Sequence, residues 1–255
     1  MKITLLGTGT SQGVPVIGCN CVVCSSKNIK DKRTRSSILI EVDNTTIVID
    51  TGPDFRFQML ANNVDNIDAI LYTHHHKDHV AGLDDIRAYN HKWNKSIDIF
   101  SSQRTFSALK NEFPYIFTDN NYPGVPRVNS NIFNNSNFQI NNIDITPIEA
   151  RHYKMQVFGF RIRDFIYLTD VSYISENEKK KMFNAKLIVL DALRKKEHIS
   201  HFNLDQAINL ISEIRPEKAL LTHVSHLMGL HDDVNNELPD HIQLAYDSQK
   251  IILKS

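Results

Sequence analysis

Seven residues of this chain carry side chains suited to gripping divalent cations, and four of them fall within six positions. His74, His76, Asp78 and His79 form a His-x-His-x-Asp-His run. Alternate residues on an extended stretch point the same way, so His74 and His76 can reach one ion together. Asp78 and His79 lie one turn further on, at the start of an expected helix, and can serve a second ion. Three more metal-capable side chains close strand-like runs downstream. These are His152 after Ile148 to Arg151, Asp170 after Tyr167 to Thr169, and His223 after Leu220 to Thr222. Imidazole and carboxylate together suit zinc, manganese or iron. Asp170 is well placed to bridge, because two ions about 3.5 to 4 Å apart can share a hydroxide and clamp a phosphoryl group. Hydrolysis by attack of a metal-bound hydroxide is therefore the chemistry expected. His75, His91, His198, His231 and His241 read as structural or exposed histidines.

The three cysteines, Cys19, Cys21 and Cys24, also sit within six positions. An odd, clustered set argues against a disulfide framework and for a metal site in a reducing compartment. A cytoplasmic location follows as the expectation, since Met1 to Leu6 lacks the apolar stretch and cleavage site of a signal peptide. No apolar run approaches the roughly 18 to 20 residues that span a bilayer. Formal net charge is +0, so no global basic field recruits nucleic acid. The cationic runs Lys179 to Lys181 and Arg194 to Lys196 read as solvated faces.

The elements that must hold these residues alternate short apolar runs with helical patterns. Strand-like runs cover Ile3–Leu6, Ser37–Val42, Thr46–Asp50, Ala69–Tyr72 and Ile97–Phe100. The second half adds Ile143–Ile148, Val157–Arg161, Phe165–Thr169, Leu187–Leu190 and Lys218–Thr222. Helix-like segments cover Pro53–Asn62, Asp78–Tyr89, Gln103–Glu112, Glu176–Phe183 and Leu204–Ile214. Pro53 suits a first helical turn, and Asn203 suits an N-cap. A hairpin is expected across Asp43-Asn44. Mixed strands and helices of this order imply an α+β fold of two mixed sheets covered by helices, in a single domain spanning residues 1 to 255. The Asn-rich segment 118–142, with Pro123, Gly124 and Pro126, reads as a long loop or flap.

The chain resembles the metallo-β-lactamase fold superfamily. The similarity runs through Leu6-Gly7-Thr8-Gly9-Thr10, Asp50-Thr51-Gly52, Thr73 to His79, His152, Asp170 and His223. The resemblance implies a four-layer αββα sandwich with its site at one edge between the sheets. It places His74, His76 and His152 on one metal, Asp78, His79 and His223 on the other, and Asp170 between them. More narrowly, Gly13-Val14-Pro15, Gly18 to Cys24, Arg33, Arg35-Ser36-Ser37, Asp50 to Arg56 and Gly82 to Arg87 resemble the PhnP-type cyclic phosphodiesterases.

That narrower resemblance implies a structural zinc held by Cys19, Cys21, Cys24 and His226. Three thiolates and one imidazole make a closed tetrahedral site with no open position for substrate. It also implies a proton donor for the leaving oxygen in the place that His201 occupies, with His198 as a nearby competitor. Asp78 counts both as a ligand and as a residue on which catalysis depends. The stretch Leu227 to Asp240 departs from the pattern apart from Leu238-Pro239.

The expected activity is hydrolysis of a small phosphodiester, ribose-derived cyclic phosphates among them. It would use two active-site divalent ions (Mn or Zn, or Fe) and one structural Zn, in a homodimer without membrane or nucleic-acid partners. Two alternatives share the fold. A tRNA 3′-processing nuclease would need a basic arm, and segment 118–142 has only Arg127 as a cation. A non-catalytic cofactor-biosynthesis helper would be expected to lack a complete ligand set. The thiolesterase and lactamase branches fit the Asp50–Arg56 and Gly82–Arg87 runs less well.

Overall fold

The computed structural model describes residues 1–118 and 123–254. Its first sheet collects β1 (Lys2–Gly7), β2 (Ser37–Val42), β3 (Thr45–Ile49), β4 (Ala69–Leu71), β5 (Ile97–Ser102) and β6 (Val128–Phe133). The second holds β7 (Phe138–Ile140), β8 (Ile143–His152), β9 (Met155–Ile162), β10 (Phe165–Leu168), β11 (Leu187–Asp191), β12 (Lys218–Thr222) and β13 (Ile242–Leu244). The last strand, β14 (Gln249–Ile252), returns to pair with β1, so the sheet orders are β14-β1-β2-β3-β4-β5-β6 and β13-β12-β11-β10-β9-β8-β7.

Each sheet begins as an antiparallel meander and ends as a parallel array. In the first, β14, β1, β2 and β3 pair antiparallel and β3 to β6 parallel. In the second, β7 to β10 pair antiparallel and β10 to β13 parallel. Parallel strands are buried on both faces and read as continuous apolar runs; β11 and β12 (LIVLD and KALLT) fit that rule. The β2–β3 hairpin turns on Asp43 and Asn44 at φ 47° and 62°, as a two-residue turn with two left-handed positions requires.

Ile3, Leu5, Ile38 and Ile40 of the first sheet pack on Phe158, Phe160, Val189 and Leu220 of the second. Helices close the outer faces. α1 (Phe55–Ala61), α3 (Arg87–Trp93) and α4 (Gln103–Glu112) contribute Phe55, Met59, Tyr89 and Leu109 to the layer over the first sheet. Between α1 and α3 lies the four-residue α2 (Lys77–Val80), and α5 (Glu176–Lys179) is equally short. α6 (Leu204–Ile214) and α7 (His231–Glu237) cover the second sheet through Leu204, Ala207, Ile211 and Val234. The result is the expected αββα sandwich. Burial of each such aliphatic side chain contributes about 1.5 to 3 kcal/mol, so truncating one at the sheet–sheet contact, Leu220→Ala for instance, costs about 2 to 5 kcal/mol.

Four expectations need correction. The helix expected over Glu176–Phe183 ends at Lys179 and runs on as turns. The segment 118–142 is not one long loop, because it contains β6 and β7; its residues 119–122 lie outside the described ones. The helix expected over Asp78–Tyr89 is broken into α2, a 3-10 turn at Leu83–Ile86, and α3. The break falls at Gly82, where any side chain would overlap the Gly52 carbonyl. Pro53 precedes α1 rather than opening it, and Asp54 holds the N-cap position. Asn203 does cap α6, accepting from the Gln206 amide while the Gln206 side chain accepts from the Asn203 amide.

Candidate metal centres

Three site residues follow strand ends with the same backbone device. Asp50 comes directly after β3, Asp170 two residues after β10, and His223 directly after β12. Their φ angles are 65°, 58° and 57°. A left-handed φ is uncommon for residues other than glycine and costs energy that the surroundings must supply. Here it turns three side chains off the strand axis toward one point between the sheets. The His74–His79 run leaves β4 and enters α2, and it is seated by Gly52, where a side chain would overlap the Asp78 carbonyl.

The seven residues converge. Ligand atoms of Asp78, His79, Asp170 and His223 lie within 4.8 Å of one another, as do those of His74, His76 and Asp170. His152 joins Asp170 and His201 in a third such set, its Nε2 standing 4.0 Å from Asp170 Oδ1. Asp170 is common to all three. His79 Nε2 lies 3.2 Å from Asp78 Oδ2 and 3.1 Å from Asp170 Oδ2, and His223 Nδ1 lies 3.2 Å from Asp170 Oδ2. These are the separations of ligands that share an ion at about 2.1 Å and near right angles. His74 Nε2 and His79 Nε2 are buried and lack a hydrogen-bond partner. Buried polar atoms are normally satisfied, so both point to a bound cation. The set fits divalent metal.

Second contacts orient the rings. Asp50 is fully buried, accepts from the Thr73 amide at 2.9 Å and the Thr73 hydroxyl at 2.7 Å, and meets His79 Nδ1 at 2.7 Å. A carboxylate behind a metal-facing imidazole fixes its tautomer and raises its basicity. His152 Nδ1 donates to the Ser200 carbonyl at 2.7 Å, which turns Nε2 inward. Sequence reasoning placed Asp50 only at a strand end; its partnership with His79 is tertiary and no local pattern reveals it.

Electrostatics set the donors in ligand form. Burial lowers the pKa of His74, His76 and His152, and brings His223 down to about 4, so these imidazoles are neutral. Burial would raise Asp78 and Asp170, yet the neighbouring histidines, His79 for Asp78 and His223 with His79 for Asp170, hold both well below the usual carboxylate range. Around His79 burial is outweighed by Asp78, Asp170 and Asp50, which drive its pKa up. Three carboxylates about one buried ring, two at Nε2 and one at Nδ1, favour positive charge there.

His201 stands at the rim. Its Nδ1 lies 3.8 Å from Asp170 Oδ1 and 3.6 Å from Asp191 Oδ2. Asp191 is fully buried, and its Oδ2 has no hydrogen-bond partner. Burial lifts Asp191 to about 6 against the pull of His201. Burial would lower His201, but Asp191 and Asp170 beside it win and raise it. His198 belongs to none of the donor sets; its ring is 5.2 Å from that of His201 and its Nδ1 meets the Ser200 amide and hydroxyl. His75, His91 and His241 stand outside the donor sets too, and His231 is buried with Nδ1 3.2 Å from Arg33.

A second centre forms on loops. Sγ atoms of Cys19, Cys21 and Cys24 lie 3.3, 3.4 and 3.5 Å from His226 Nδ1. Tetrahedral zinc with Zn–S about 2.3 Å and Zn–N about 2.0 Å would put sulfur and nitrogen about 3.5 Å apart. The Val16 amide points at Cys24 Sγ and the Cys24 amide at Cys21 Sγ, both 3.4 Å. The latter contact brings the Cys21 thiol down to about 6, whereas burial pushes Cys24 up to about 11. This donor set fits a thiophilic ion such as zinc.

Residues 45–224 match the model of the β-lactamase superfamily domain. The chain belongs to that superfamily. Within it, a structure described as a new diphosphatase from the PhnP family superposes with TM-score 0.93 at 34% identity, over 99% of this chain and 98% of that one. The chain is therefore a metallo-β-lactamase-fold protein close to the PhnP branch, and the fold implies divalent metals. Zn(2+)-bound PqqB of Methylobacterium extorquens shares the fold at TM-score 0.83 and 17% identity, over 99% of this chain and all of that one. An "Octanoyltransferase" of Porphyromonas gingivalis is 37% identical over 99% of this chain but only 52% of its own length. The chain thus spans about half of that curated relative. Among the described residues no helix is long and apolar enough to cross a membrane.

Proposed function

We propose that this chain hydrolyses a phosphodiester bond in a small anionic substrate, ribose-derived cyclic phosphates included. One observation carries the reading: a single carboxylate, Asp170, belongs to all three donor sets. His74, His76 and His152 would hold one ion and Asp78, His79 and His223 the other, with Asp170 between. Two divalent ions held there, Zn or Mn or Fe, supply Lewis-acid charge at phosphorus and a nucleophile from water at neutral pH. The protein's own task is then to protonate the leaving oxygen. His201, turned with Nδ1 toward Asp170 and Asp191, has Nε2 available as that donor. Cys19, Cys21, Cys24 and His226 hold a structural zinc that ties the N-terminal loop to the segment after β12.

A second reading, cleavage of a diphosphate linkage, is favoured by the PhnP-family diphosphatase at 34% identity. It uses the same groups on a longer substrate. Octanoyl transfer finds less support: all three cysteines sit in the other centre, and the relative so named is about twice as long. A nuclease reading lacks a basic arm, since Arg127 is tied to Asn90 and Asn94. The test is a hydrolysis screen under Zn, Mn and Fe. Its substrates are bis-p-nitrophenyl phosphate, ribose and nucleoside cyclic phosphates, dinucleoside diphosphates, tRNA precursors, octanoyl thioesters and lactams. Turnover of phosphodiesters is expected; turnover confined to thioesters or lactams would refute the proposal.

A further inference from the structure

Both ring nitrogens of His223 have a hydroxyl neighbour, and the two are not equivalent. Thr10 Oγ1 lies 3.2 Å from Nε2, and Ser36 Oγ lies 3.2 Å from Nδ1. All three residues are buried. Nδ1 is also the nitrogen that faces the donor set, 3.2 Å from Asp170 Oδ2. The Ser36 hydroxyl has another acceptor, the Gly9 carbonyl at 2.9 Å. A cation and a proton cannot share one nitrogen, so a metal-competent His223 keeps its Nδ1 lone pair toward Asp170 and carries its proton on Nε2. Thr10 Oγ1 is the acceptor within reach of that proton.

We infer that Thr10 is a positioning residue, whose hydroxyl accepts the Nε2 proton of His223 and so holds its Nδ1 in the form that binds the second ion. This rests on the reading of His223 as a ligand. The backbone around Thr10 suits the task. The Thr10 amide donates to the Val224 carbonyl at 3.2 Å, the Val224 amide to the Thr8 carbonyl at 2.9 Å, and the Gly9 amide to the Thr34 carbonyl at 2.7 Å. Gly9 passes so near that a side chain there would meet Arg33 Cβ at 2.9 Å. The loop after β1 is thereby pinned to Val224, next to His223, on one side and to Thr34 on the other, and the threonine hydroxyl is presented at fixed depth. A hydroxyl partner does for His223 what Asp50 does for His79 and the Ser200 carbonyl does for His152. Each imidazole has an acceptor behind it.

The experiment reads metal, not turnover. Isothermal titration of the metal-stripped protein with Zn²⁺ gives the affinity of the second site for wild type, Thr10→Val and Thr10→Ser. Thr10→Val keeps the volume and loses the acceptor; it should weaken that site about 10- to 100-fold, the usual cost of losing a supporting partner. Thr10→Ser should stay within a few-fold of wild type. Unchanged affinity in Thr10→Val, or equal losses in both variants, would overturn the inference. A measurement on the unmodified zinc-loaded protein stands beside it. Long-range ¹H–¹⁵N spectra of ¹⁵N-histidine protein should show His223 protonated at Nε2, and a proton at Nδ1 would equally overturn it. Neither readout needs a substrate. Failure of the hydrolysis screen with Thr10 still coupled to zinc affinity would discard the proposed substrate while keeping Thr10.

Discussion

The two donor clusters differ in what carries them and in how many donors they offer. The Asp170 cluster hangs on the ends of buried strands, and His74, His79, Asp170 and His223 are each at most 2% exposed. It gathers six nitrogen- and oxygen-donor residues around a seventh, the shared carboxylate of Asp170. The cysteine cluster sits on loops, is half-buried, and has only the four donors that tetrahedral zinc consumes. Rigid support with open coordination suits turnover; saturated coordination on a loop suits fastening. If this contrast is right, lesions in one centre should cost rate and lesions in the other should cost stability.

The largest effect belongs to Asp170. Asp170→Asn removes the charge common to both sets, so kcat for a phosphodiester should fall at least about a thousandfold, roughly 4 kcal/mol of transition-state stabilisation. Circular dichroism should show the fold retained. Activity near wild type would end the two-ion reading. Next comes His201→Gln, expected to lower kcat about 100- to 1000-fold, within the range of general acid catalysis, with bound metal unchanged by elemental analysis. Loss of metal in that variant would move His201 from proton donor to ligand.

Much of this was legible because the signals are local. β11, β12 and the His74–His79 run announce themselves within a few residues, and α4 and α6 match their expected bounds. What escaped depends on partners far along the chain. β6 reads VNSNIF, with two asparagines, a residue type that strands disfavour; it is a strand because β5 pairs with all six of its residues. β7 and β13 have three residues each, too short to show a period. In the site, the residues that converge on Asp170 were legible by motif. Asp50 behind His79, Asp191 behind His201 and Thr10 behind His223 were not, since their sequence separations of 29, 10 and 213 residues leave no spacing to read.

The cysteine centre supplies the third test. Cys24→Ser should release one equivalent of zinc that otherwise resists chelation, measured by elemental analysis after treatment with EDTA. Metal binding free energy is folding free energy at such a site. A loss of about 3 kcal/mol in a chain of this size lowers Tm by on the order of 10 °C. With the active-site ions restored, kcat below the new Tm should change far less than in Asp170→Asn. A Cys24→Ser protein with full zinc content and unaltered Tm would remove the structural role, and one with intact Tm but a thousandfold lower kcat would reverse the contrast between the centres.

The smallest effect probes the seam between binding and proton transfer. Asp191 belongs to no donor set, yet its buried carboxylate stands 3.6 Å from His201 Nδ1. A general acid works in its protonated form, so kcat should be constant at low pH and fall as pH rises through the His201 pKa. That pKa is raised because Asp191 and Asp170 outweigh burial. Asp191→Asn removes one of the two anions while burial stays, so the pKa drops and the alkaline limb moves to lower pH. Above the wild-type His201 pKa the variant should lose about tenfold in kcat, the equivalent of one pKa unit, and well below it the loss should be small. Substrate KM and metal content should not move, which separates positioning from ligation. An alkaline limb at the wild-type position would mean that the proton donor is not His201, or that Asp191 is not what keeps it charged.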